Sequence, residues 1–303
     1  MTIEMRTIGL ALLMTAIPMA ADAKPPKVFT TPEAAAQGMI DALSAGTREA
    51  LTDLLGDEHN DVLFTDDEAA ERENRKIALA AAKEAMALQD VDADTRTILI
   101  GKQQWPVPFP VVHDGAGWHF DTEAGLYELL ARRIGANELA AIAAVRAYVD
   151  AQRDYATADH DDDDVLEYAQ KLVSTEGKKD GLYWEVPEGS NEAVSPLQQF
   201  VAAQGGYLPE ETGDPLRGYH FRILSRQGEQ APGGRYDYVI NGNMIAGFGM
   251  IATPSEYGVT GVMTFITNQS GKVYQANLGD DTELEAAAIQ QFDLDGSWEL
   301  VKK

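Results

Sequence analysis

The acidic run from Asp159 to Asp164 is the segment whose residue types and spacing come closest to a metal site. Asp159, Asp161 and Asp163 match the first three ligand positions of a calcium-binding loop. The match ends there, because the sixth position is Asp164 instead of the glycine that the tight turn needs, and the twelfth is Gln170 instead of a glutamate. We therefore predict no metal site but a solvated loop that caps a helix starting near Asp164, since acids favour helix N-termini. Weak calcium binding is the alternative that the sequence leaves open.

The other reactive residue types show no catalytic pattern. None of the five histidines is paired at the H-x-H or H-x-x-x-H spacing that brings two ring nitrogens to one metal ion. The sequence has no cysteine, and it has no serine-nucleophile elbow, phosphate loop or dinucleotide fingerprint. We predict no catalytic residues and no cofactor. A carboxylate pair for glycan hydrolysis is the alternative, because such a pair is defined by its separation in space and not by a motif.

Aromatic residues are the candidates for ligand binding. Their rings could stack on sugar rings and so form the floor of a glycan-binding groove. Scattered aromatic residues are more often part of a core or its rim, and that is the alternative. The candidate binding residues are Trp105, Trp118, Tyr183, Trp184 and Tyr207.

Residues 1–23 have the layout of a secretory signal peptide. Arg6 precedes an apolar run that extends from Ile8 to Met19 and is followed by the small-residue motif Ala21-Asp22-Ala23. This run is shorter than the roughly 20 residues of a membrane-spanning helix, and Pro18 would interrupt one. We therefore predict cleavage after Ala23, a periplasmic location in a Gram-negative bacterium, and no stable membrane insertion after cleavage.

Composition and charge restrict the class of partner. The 303 residues include 24 basic and 49 acidic side chains, which gives a formal net charge of −25. Such a surface repels phosphate backbones and anionic lipid headgroups, which are bound by clustered lysine and arginine. We therefore exclude nucleic acid and expect an envelope protein or a glycan as the partner.

After the predicted signal peptide, the sequence predicts an α+β protein of two domains, residues 24–125 and 126–303. The first domain is predicted to be rich in helices and to contain a small antiparallel meander. Thr30 and Glu33 have the spacing of a capping box at the start of its first helix. Three prolines place the middle strand at a sheet edge, because proline cannot donate a backbone hydrogen bond. Two further helices are predicted over Thr47–Leu55 and Glu68–Leu88, and the strands over residues 97–101, 105–112 and 118–120.

The second domain is predicted to combine helices with an antiparallel sheet. One helix is expected from Thr122 to Gly135, where glycine suits a C-terminal cap, and a longer one from Asn137 to about Thr157. A helix from Thr282 to Phe292 and a strand containing Trp298 complete the domain. Alternating runs predict strands over Tyr219–Leu224, Tyr236–Ile240, Met244–Thr253, Val259–Thr267 and Lys272–Asn277.

One predicted strand has a bulky face and a bare face. Side chains alternate along a strand, so Met244, Phe248 and Met250 share one side, and Gly247 and Gly249 share the other. Glycine weakens a strand, and the close approach of another backbone is the usual reason for two on one face. We predict that the alanine-rich helix around residues 140–149 lies on the glycine face and that the bulky face packs elsewhere. An exposed glycine face is the alternative.

Several stretches resemble a known family. Trp105-Pro-Val-Pro-Phe-Pro and Gly117-Trp-His-Phe, with the later Asp180-Gly-Leu-Tyr-Trp and Glu256-Tyr-Gly-Val-Thr-Gly, resemble the bacterial envelope family catalogued as domain of unknown function 2950. The resemblance extends over nearly the whole chain after the predicted signal peptide. The family has no assigned activity, so the resemblance implies no catalytic residues.

The second domain is also similar to the soluble part of type IV pilin-like proteins. The similarity rests on Val145–Tyr155, Gly181-Leu-Tyr-Trp, Gly218-Tyr-His-Phe and Gly271-Lys-Val-Tyr. It implies one long helix packed on an antiparallel sheet, whereas the missing transmembrane half-helix of pilins argues against filament assembly. Residues 31–55 resemble the start of nuclear transport factor two-like folds, which implies a cone-like first domain.

Export, the missing catalytic motifs and the pilin-like second domain together predict a function. We expect a binding or envelope-assembly module without enzymatic activity. The alternative is an envelope hydrolase that uses a carboxylate pair on a glycan or a similar substrate.

Overall fold

The computed structural model describes residues 23–64, 68–187, 189–190, 192–203 and 215–302. The chain divides into two compact units, one ending at Leu129 and one beginning at Leu130, and each has its own hydrophobic core. Helices and antiparallel sheets occur in both units, so the protein is α+β as predicted. Apart from Ala23, the predicted signal peptide lies outside the described residues.

The first unit begins with four helices, α1 (Pro32–Ala45), α2 (Arg48–Leu55), α3 (Asn60–Leu63) and α4 (Glu68–Glu84). The Thr31 hydroxyl caps α1 by accepting a hydrogen bond from the Ala34 amide at 3.1 Å, and Gly46 ends the helix with a φ of 70°. The predicted cap, Thr30, was therefore one residue too early. With Thr31 as the cap, Pro32 begins the helix, where its missing N–H removes no helical hydrogen bond.

An antiparallel sheet completes the first unit. Its strands are β1 (Met86–Asp90), β2 (Thr95–Ile100), β3 (Trp105–Pro106), β4 (Val111–Asp114) and β5 (Gly117–Phe120). Their order is β1-β2-β4-β5, and the proline-containing β3 pairs with β2 beside this path. Ala35, Met39 and Leu54 from the helices share a buried cluster with Ile98 and Phe120 from the sheet.

Strand β1 lies where the sequence predicts the end of a helix. The predicted extent of that helix, through Leu88, was wrong because α4 ends at Glu84. Met86 instead begins a strand that pairs with β2, and the Asp90 and Arg96 side chains form an ion pair at 2.7 Å across this hairpin. Pairing with a neighbouring strand thus overrides the local helix propensity.

A single 34-residue helix, α5 (Thr122–Tyr155), replaces the two helices that were predicted around Gly135. The predicted break was wrong, because Gly135 keeps helical geometry and does not adopt the left-handed conformation of a cap. Just beyond it, Asn137 donates to the Thr260 carbonyl at 2.9 Å, and the Glu138 carboxylate accepts from two backbone amides at 3.0 Å. These contacts and the burial of later α5 residues offset the cost of about 1 kcal/mol that glycine imposes on a helix interior.

The second unit contains a five-stranded antiparallel sheet with short hairpins beside it. The strands are β6 (Tyr219–Leu224), β7 (Arg226–Gln227), β8 (Tyr236–Asp237), β9 (Val239–Ile240), β10 (Asn243–Met244), β11 (Gly249–Pro254), β12 (Met263–Asn268), β13 (Val273–Asn277) and β14 (Glu299–Leu300). The main sheet has the order β14-β13-β12-β11-β6, while β7 pairs with β8 and β9 with β10. Two short helices are α6 (Gln198–Ala203) and α7 (Thr282–Ala288), so the last helix is shorter than predicted, and Trp298 precedes β14.

Helix α5 packs on the face of β11 opposite to the one that was predicted. The Tyr148 ring of α5 meets Phe248 edge-on, with 5.6 Å between centroids, and shares a buried cluster with Met250. Ile251, on the glycine side, packs in a separate cluster with Ala286 of α7. The prediction was wrong because the bulky face buries more apolar area against a helix than a glycine face does.

Candidate functional site

A cavity of about 1060 Å³ in the second unit is lined by two of the predicted binding residues, Tyr183 and Trp184. Residues 160–161, which follow α5, form one side of it, and the turn of residues 173–180 forms another. Glu185, Pro187 and Glu192 complete the lining. The fold therefore gathers three consecutive loop segments around one space.

Asp180 holds the turn that carries Tyr183. Its carboxylate accepts hydrogen bonds from the Thr175 amide at 2.7 Å and from the Lys171 ammonium group at 2.8 Å. Desolvation opposes ionisation, but these bonds outweigh it and lower the pKa of Asp180 to about 2. The Ser174 amide donates to the Tyr183 carbonyl at 2.8 Å, which fixes Tyr183 at the base of the turn.

His160 and Trp184 form an aromatic wall of the cavity. The His160 ring stacks on Tyr155, at the end of α5, with 4.1 Å between centroids, and it lies 5.6 Å from the Trp184 ring. Trp184 is only 7% exposed, and its indole N–H donates to a backbone carbonyl at 3.2 Å. The Lys179 ammonium group lies 5.7 Å from the centre of the same ring. Trp184 therefore shapes the wall and leaves little ring surface open to a ligand.

Several polar groups of the cavity have no protein partner in the part of the chain that the structure describes. Within the described residues, no hydrogen bond or ion pair engages the side chains of Tyr183, Glu176, Lys178 or Glu185. The lining contains five carboxylates against two lysines, Lys178 and Lys179. A neutral or cationic polar ligand therefore suits the cavity better than an anion does.

The other predicted binding residues do not line this cavity. Trp105 is 64% exposed on β3. Trp118 lies on β5, where its ring is 5.1 Å from His113 and 5.2 Å from the Arg96 guanidinium. Tyr207 lies outside the described residues. The structure thus brings together two of the five candidates.

The comparison with known proteins identifies a family. Residues 26–301 match the family described as "Protein of unknown function (DUF2950)". The chain belongs to the DUF2950 family. No curated protein and no solved structure matches it, and the pilin-like and cone-like resemblances stay predictions. Among the described helices of this DUF2950 protein, none is long and apolar enough to cross a membrane.

The acidic run of the DUF2950 protein forms a loop, and the helix predicted near Asp164 is wrong. Asp159 organises the loop by accepting hydrogen bonds from the amides of Asp162 and Asp164, both at 2.9 Å. These two residues adopt left-handed backbone conformations, with φ of 62° and 64°, which do not continue into a helix. Oxygen atoms of Asp159, Asp161 and Asp163 lie within 4.8 Å of one another. Exposed carboxylates often lie this close without an ion. The arrangement therefore does not test the alternative of weak calcium binding.

Two carboxylates of this loop have pKa values shifted in opposite directions. Desolvation and the negative charges of Asp163 and Asp159 raise the pKa of Asp161. Desolvation also acts on Asp159, but hydrogen bonds from backbone amides outweigh it and lower the pKa of that carboxyl. Because Asp161 lines the cavity, the more easily protonated carboxyl lies at the edge of the candidate site.

The sequence does not indicate that Tyr155, His160 and Lys179 belong to the site. His160 lies within the acidic run, and Tyr155 lies within the long predicted helix and the pilin-like stretch. Their rings meet because the chain turns back after α5, and Trp184 reaches them from a later segment. The single local signal was a histidine inside a run of aspartates, which carries no information about its neighbours in space.

Proposed function

We propose that this DUF2950 protein is exported to the periplasm and acts there as a non-enzymatic binding module, with its ligand in the cavity around Tyr183. The observation that supports the proposal is a set of polar side chains that line one space of about 1060 Å³ and have no protein partner among the described residues. A phenol hydroxyl, an ammonium group and carboxylates at such a site offer hydrogen bonds that a polar ligand can complete.

The ligand class that fits this lining is a neutral or cationic glycan. Sugar hydroxyls both donate and accept hydrogen bonds, so they can pair with Tyr183, Lys178 and Glu176 alike. The half-buried Tyr183 ring adds an apolar surface of the kind on which sugar rings stack. Polyanions are disfavoured by the excess of carboxylates in the lining and by the net charge of −25.

Titration with three tetrasaccharides of different charge tests the proposal. The probes are the tetramers of glucosamine (cationic), N-acetylglucosamine (neutral) and galacturonic acid (anionic), followed by calorimetry. We expect the first or the second to bind at least about tenfold more tightly than the third. Tyr183→Ala should weaken that binding by about tenfold, as the loss of a central aromatic contact does.

Trp105→Ala is the matched control, because Trp105 is an exposed aromatic residue outside the cavity. It should leave the affinity unchanged. Binding that responds equally to both substitutions, or no binding of either expected sugar, would contradict the proposed ligand class and site.

The location is tested by intact-mass measurement on the periplasmic fraction. The proposal expects a chain that begins at Lys24 and is recovered without detergent, because a short apolar run precedes the motif ending at Ala23. A full-length species retained in the membrane pellet would contradict export with cleavage.

An envelope hydrolase is the second candidate function, and one observation favours it. The carboxylates of Asp159 and Asp161 lie within 4.8 Å of each other, and their pKa values are shifted apart. Glycosidases separate the roles of their two carboxyl groups by such shifts. Prolonged incubation with the same sugars, followed by product analysis, distinguishes the two functions. Metal-independent cleavage that disappears in Asp161→Asn would replace the binding proposal.

A further inference from the structure

The backbone nitrogen of Lys24 lies against the carboxylate of Asp57 in the first unit. The distance from this nitrogen to Asp57 Oδ1 is 2.6 Å, as short as a charge-assisted hydrogen bond. In return, the Asp57 amide donates to the Lys24 carbonyl at 3.1 Å. The Lys24 ammonium group forms an ion pair with Asp53. Lys24 is thus held through its nitrogen, its carbonyl and its side chain at once.

The residues after Lys24 continue this attachment. Phe29 and Trp118 exchange two backbone hydrogen bonds, at 2.7 and 2.9 Å. Gly56 lets the segment approach closely, since a Cβ atom at this position would lie 2.9 Å from the Lys24 carbonyl oxygen. The ends of protein chains usually fray unless they are tied down. Residues 24–29 are therefore tied down at Lys24, at Lys27, whose amide donates to the Leu54 carbonyl at 3.2 Å, and at Phe29.

Cleavage after Ala23 would change the chemistry of the bond to Asp57. Hydrolysis of the Ala23–Lys24 peptide bond consumes one water molecule, leaves a carboxylate on Ala23 and frees the Lys24 nitrogen, which takes up a proton. We infer that Asp57 is the binding site for this new α-ammonium group, so that cleavage of the signal peptide fixes the mature N-terminus on the first unit. The inference rests on the proposed export, because the charge does not exist before cleavage.

The charge makes the mature contact different from the precursor contact. In the precursor a neutral amide donates to the Asp57 carboxylate, whereas an ammonium group in the mature chain places a full positive charge at the same distance. Two opposite charges attract each other in addition to the hydrogen bond between them. The mature chain therefore gains a charge–charge attraction at a contact that the precursor makes through a neutral donor.

The surroundings of the Lys24 nitrogen favour its protonated form. It borders a cavity of about 1010 Å³ in which acidic side chains outnumber basic ones. A free α-amino group has a pKa of about 7.7–8.0, and neighbouring carboxylates raise it. The ionisable residues around it are Asp53 from α2, Asp57, Glu58 and His59 after α2, His119 from β5, Asp121 and Glu123 at the start of α5, and the side chains of Lys24 and Lys27.

Acylation of the α-amine tests the inference, because only the unprotonated amine reacts. Protein prepared to begin at Lys24 is treated with an acylating reagent at pH 7, and the N-terminal peptide is quantified by mass spectrometry. We expect the reaction to be about three- to tenfold slower than in Asp57→Asn, which corresponds to a pKa raised by about half a unit to one unit. The pH dependence of the rate in the unchanged protein measures the pKa directly, and we expect it above about 8.

Two controls isolate the contact with Asp57. Asp53→Asn removes the neighbouring carboxylate, which pairs with the side chain of Lys24, and should change the rate by less than about twofold. A chain that retains Ala23 as its first residue carries its α-amine one residue away from Asp57, and its rate should not respond to Asp57→Asn. Circular dichroism verifies that each variant is folded.

Equal rates in the unchanged protein and in Asp57→Asn, with an α-amine pKa in the ordinary range, would overturn the inference. This failure differs from a failure of the export proposal. A periplasmic protein with another first residue contradicts the cleavage position. The acylation experiment uses protein already prepared to begin at Lys24 and reads the ammonium site alone.

Discussion

Polar side chains in two regions of the second unit, the core and the cavity, differ in their hydrogen-bond partners. In the core, Gln152 is fully buried, donates to the Tyr148 hydroxyl at 3.0 Å and exchanges two hydrogen bonds of 2.8 Å with the backbone of Ala169. Tyr148 donates in turn to the Gly249 carbonyl at 3.0 Å. At the cavity, the hydroxyl of Tyr183 has no such partner within the described residues.

This difference separates polar groups that hold the fold from polar groups that are available to a ligand. An unpaired polar group in the core costs about 1–3 kcal/mol, so the core network must be complete. A polar group at an open cavity is hydrated and needs no protein partner. Substitutions in the network should therefore change stability, and substitutions at the cavity should change binding.

The largest effect is expected for Gln152→Leu. Leucine has a similar size but leaves the N–H and C=O groups of Ala169 without partners in the core. We expect a loss of about 3 kcal/mol from the second unit. Hydrogen exchange of the β11 amides measures this unit separately from the first, which has its own core.

Gln170→Leu is the matched control for this substitution. Gln170 is exposed and donates one hydrogen bond to the Gly242 carbonyl at 2.6 Å. Its replacement should cost less than about 1 kcal/mol, because water can satisfy the freed carbonyl. Equal costs at the two positions would show that the Gln152 network does not hold the core.

A smaller loss, about 1–3 kcal/mol, is expected for Gly247→Val. Gly247 lies outside β11 with a φ of 147°, a conformation that valine rarely adopts. A Cβ atom there would also lie 2.9 Å from the Tyr238 ring and from Gln269. The urea midpoint of the second unit should therefore fall.

Gly135→Ala is the control for a glycine in open space. Gly135 lies inside α5, and a Cβ atom there would have no neighbour within 4 Å. Alanine should raise the stability by about 0.5–1 kcal/mol, because it is the better helix former. A loss at Gly135, or no loss at Gly247, would contradict this account of the two glycines.

Local signals were enough to predict many elements. Helix α2 ends at Leu55 as predicted and begins one residue later than predicted, with Thr47 as its cap, and β6 has the predicted bounds Tyr219–Leu224. Caps act within one helical turn and strand alternation within a few residues, so both can be recognised in the sequence. The helix break predicted at Gly135 was wrong because the contacts that keep α5 continuous come from a turn more than 120 residues later in the chain.

The site was less predictable than the fold. Tyr183 and Trp184 were predicted as candidate binding residues because both are aromatic. The sequence could not show that Tyr183 is half-buried and Trp184 almost fully buried. No signal in the sequence assigned a structural role to Asp180, although its bonds to Thr175 and Lys171 hold the turn. Such contacts depend on where loops fold back, and no periodic pattern specifies that.

Acid should loosen the turn that carries Tyr183 before it affects the core. The pKa of Asp180 is lowered from 3.8 to about 2 in the folded protein. A lowered pKa means that the contribution is present above pH 4 and is lost as the pH falls from about 4 to 2. The carboxylate is partly exposed, so we expect a loss of less than about 1 kcal/mol. Hydrogen exchange of residues 174–183 measures it, and Asp180→Asn should abolish the pH dependence.

The smallest effect on stability is expected for Tyr183→Phe. It removes a hydroxyl that bonds to nothing within the described residues, so the free energy of unfolding should change by less than about 0.5 kcal/mol. Tyr148→Phe removes the same atom from the core network and should cost about 1–2 kcal/mol, because the Gly249 carbonyl loses its donor. In the glycan titration the order should reverse, with Tyr183→Phe weakening binding severalfold and Tyr148→Phe leaving it unchanged. If Tyr183→Phe destabilises the protein as much as Tyr148→Phe does, its hydroxyl belongs to the fold and the proposed ligand loses its main contact.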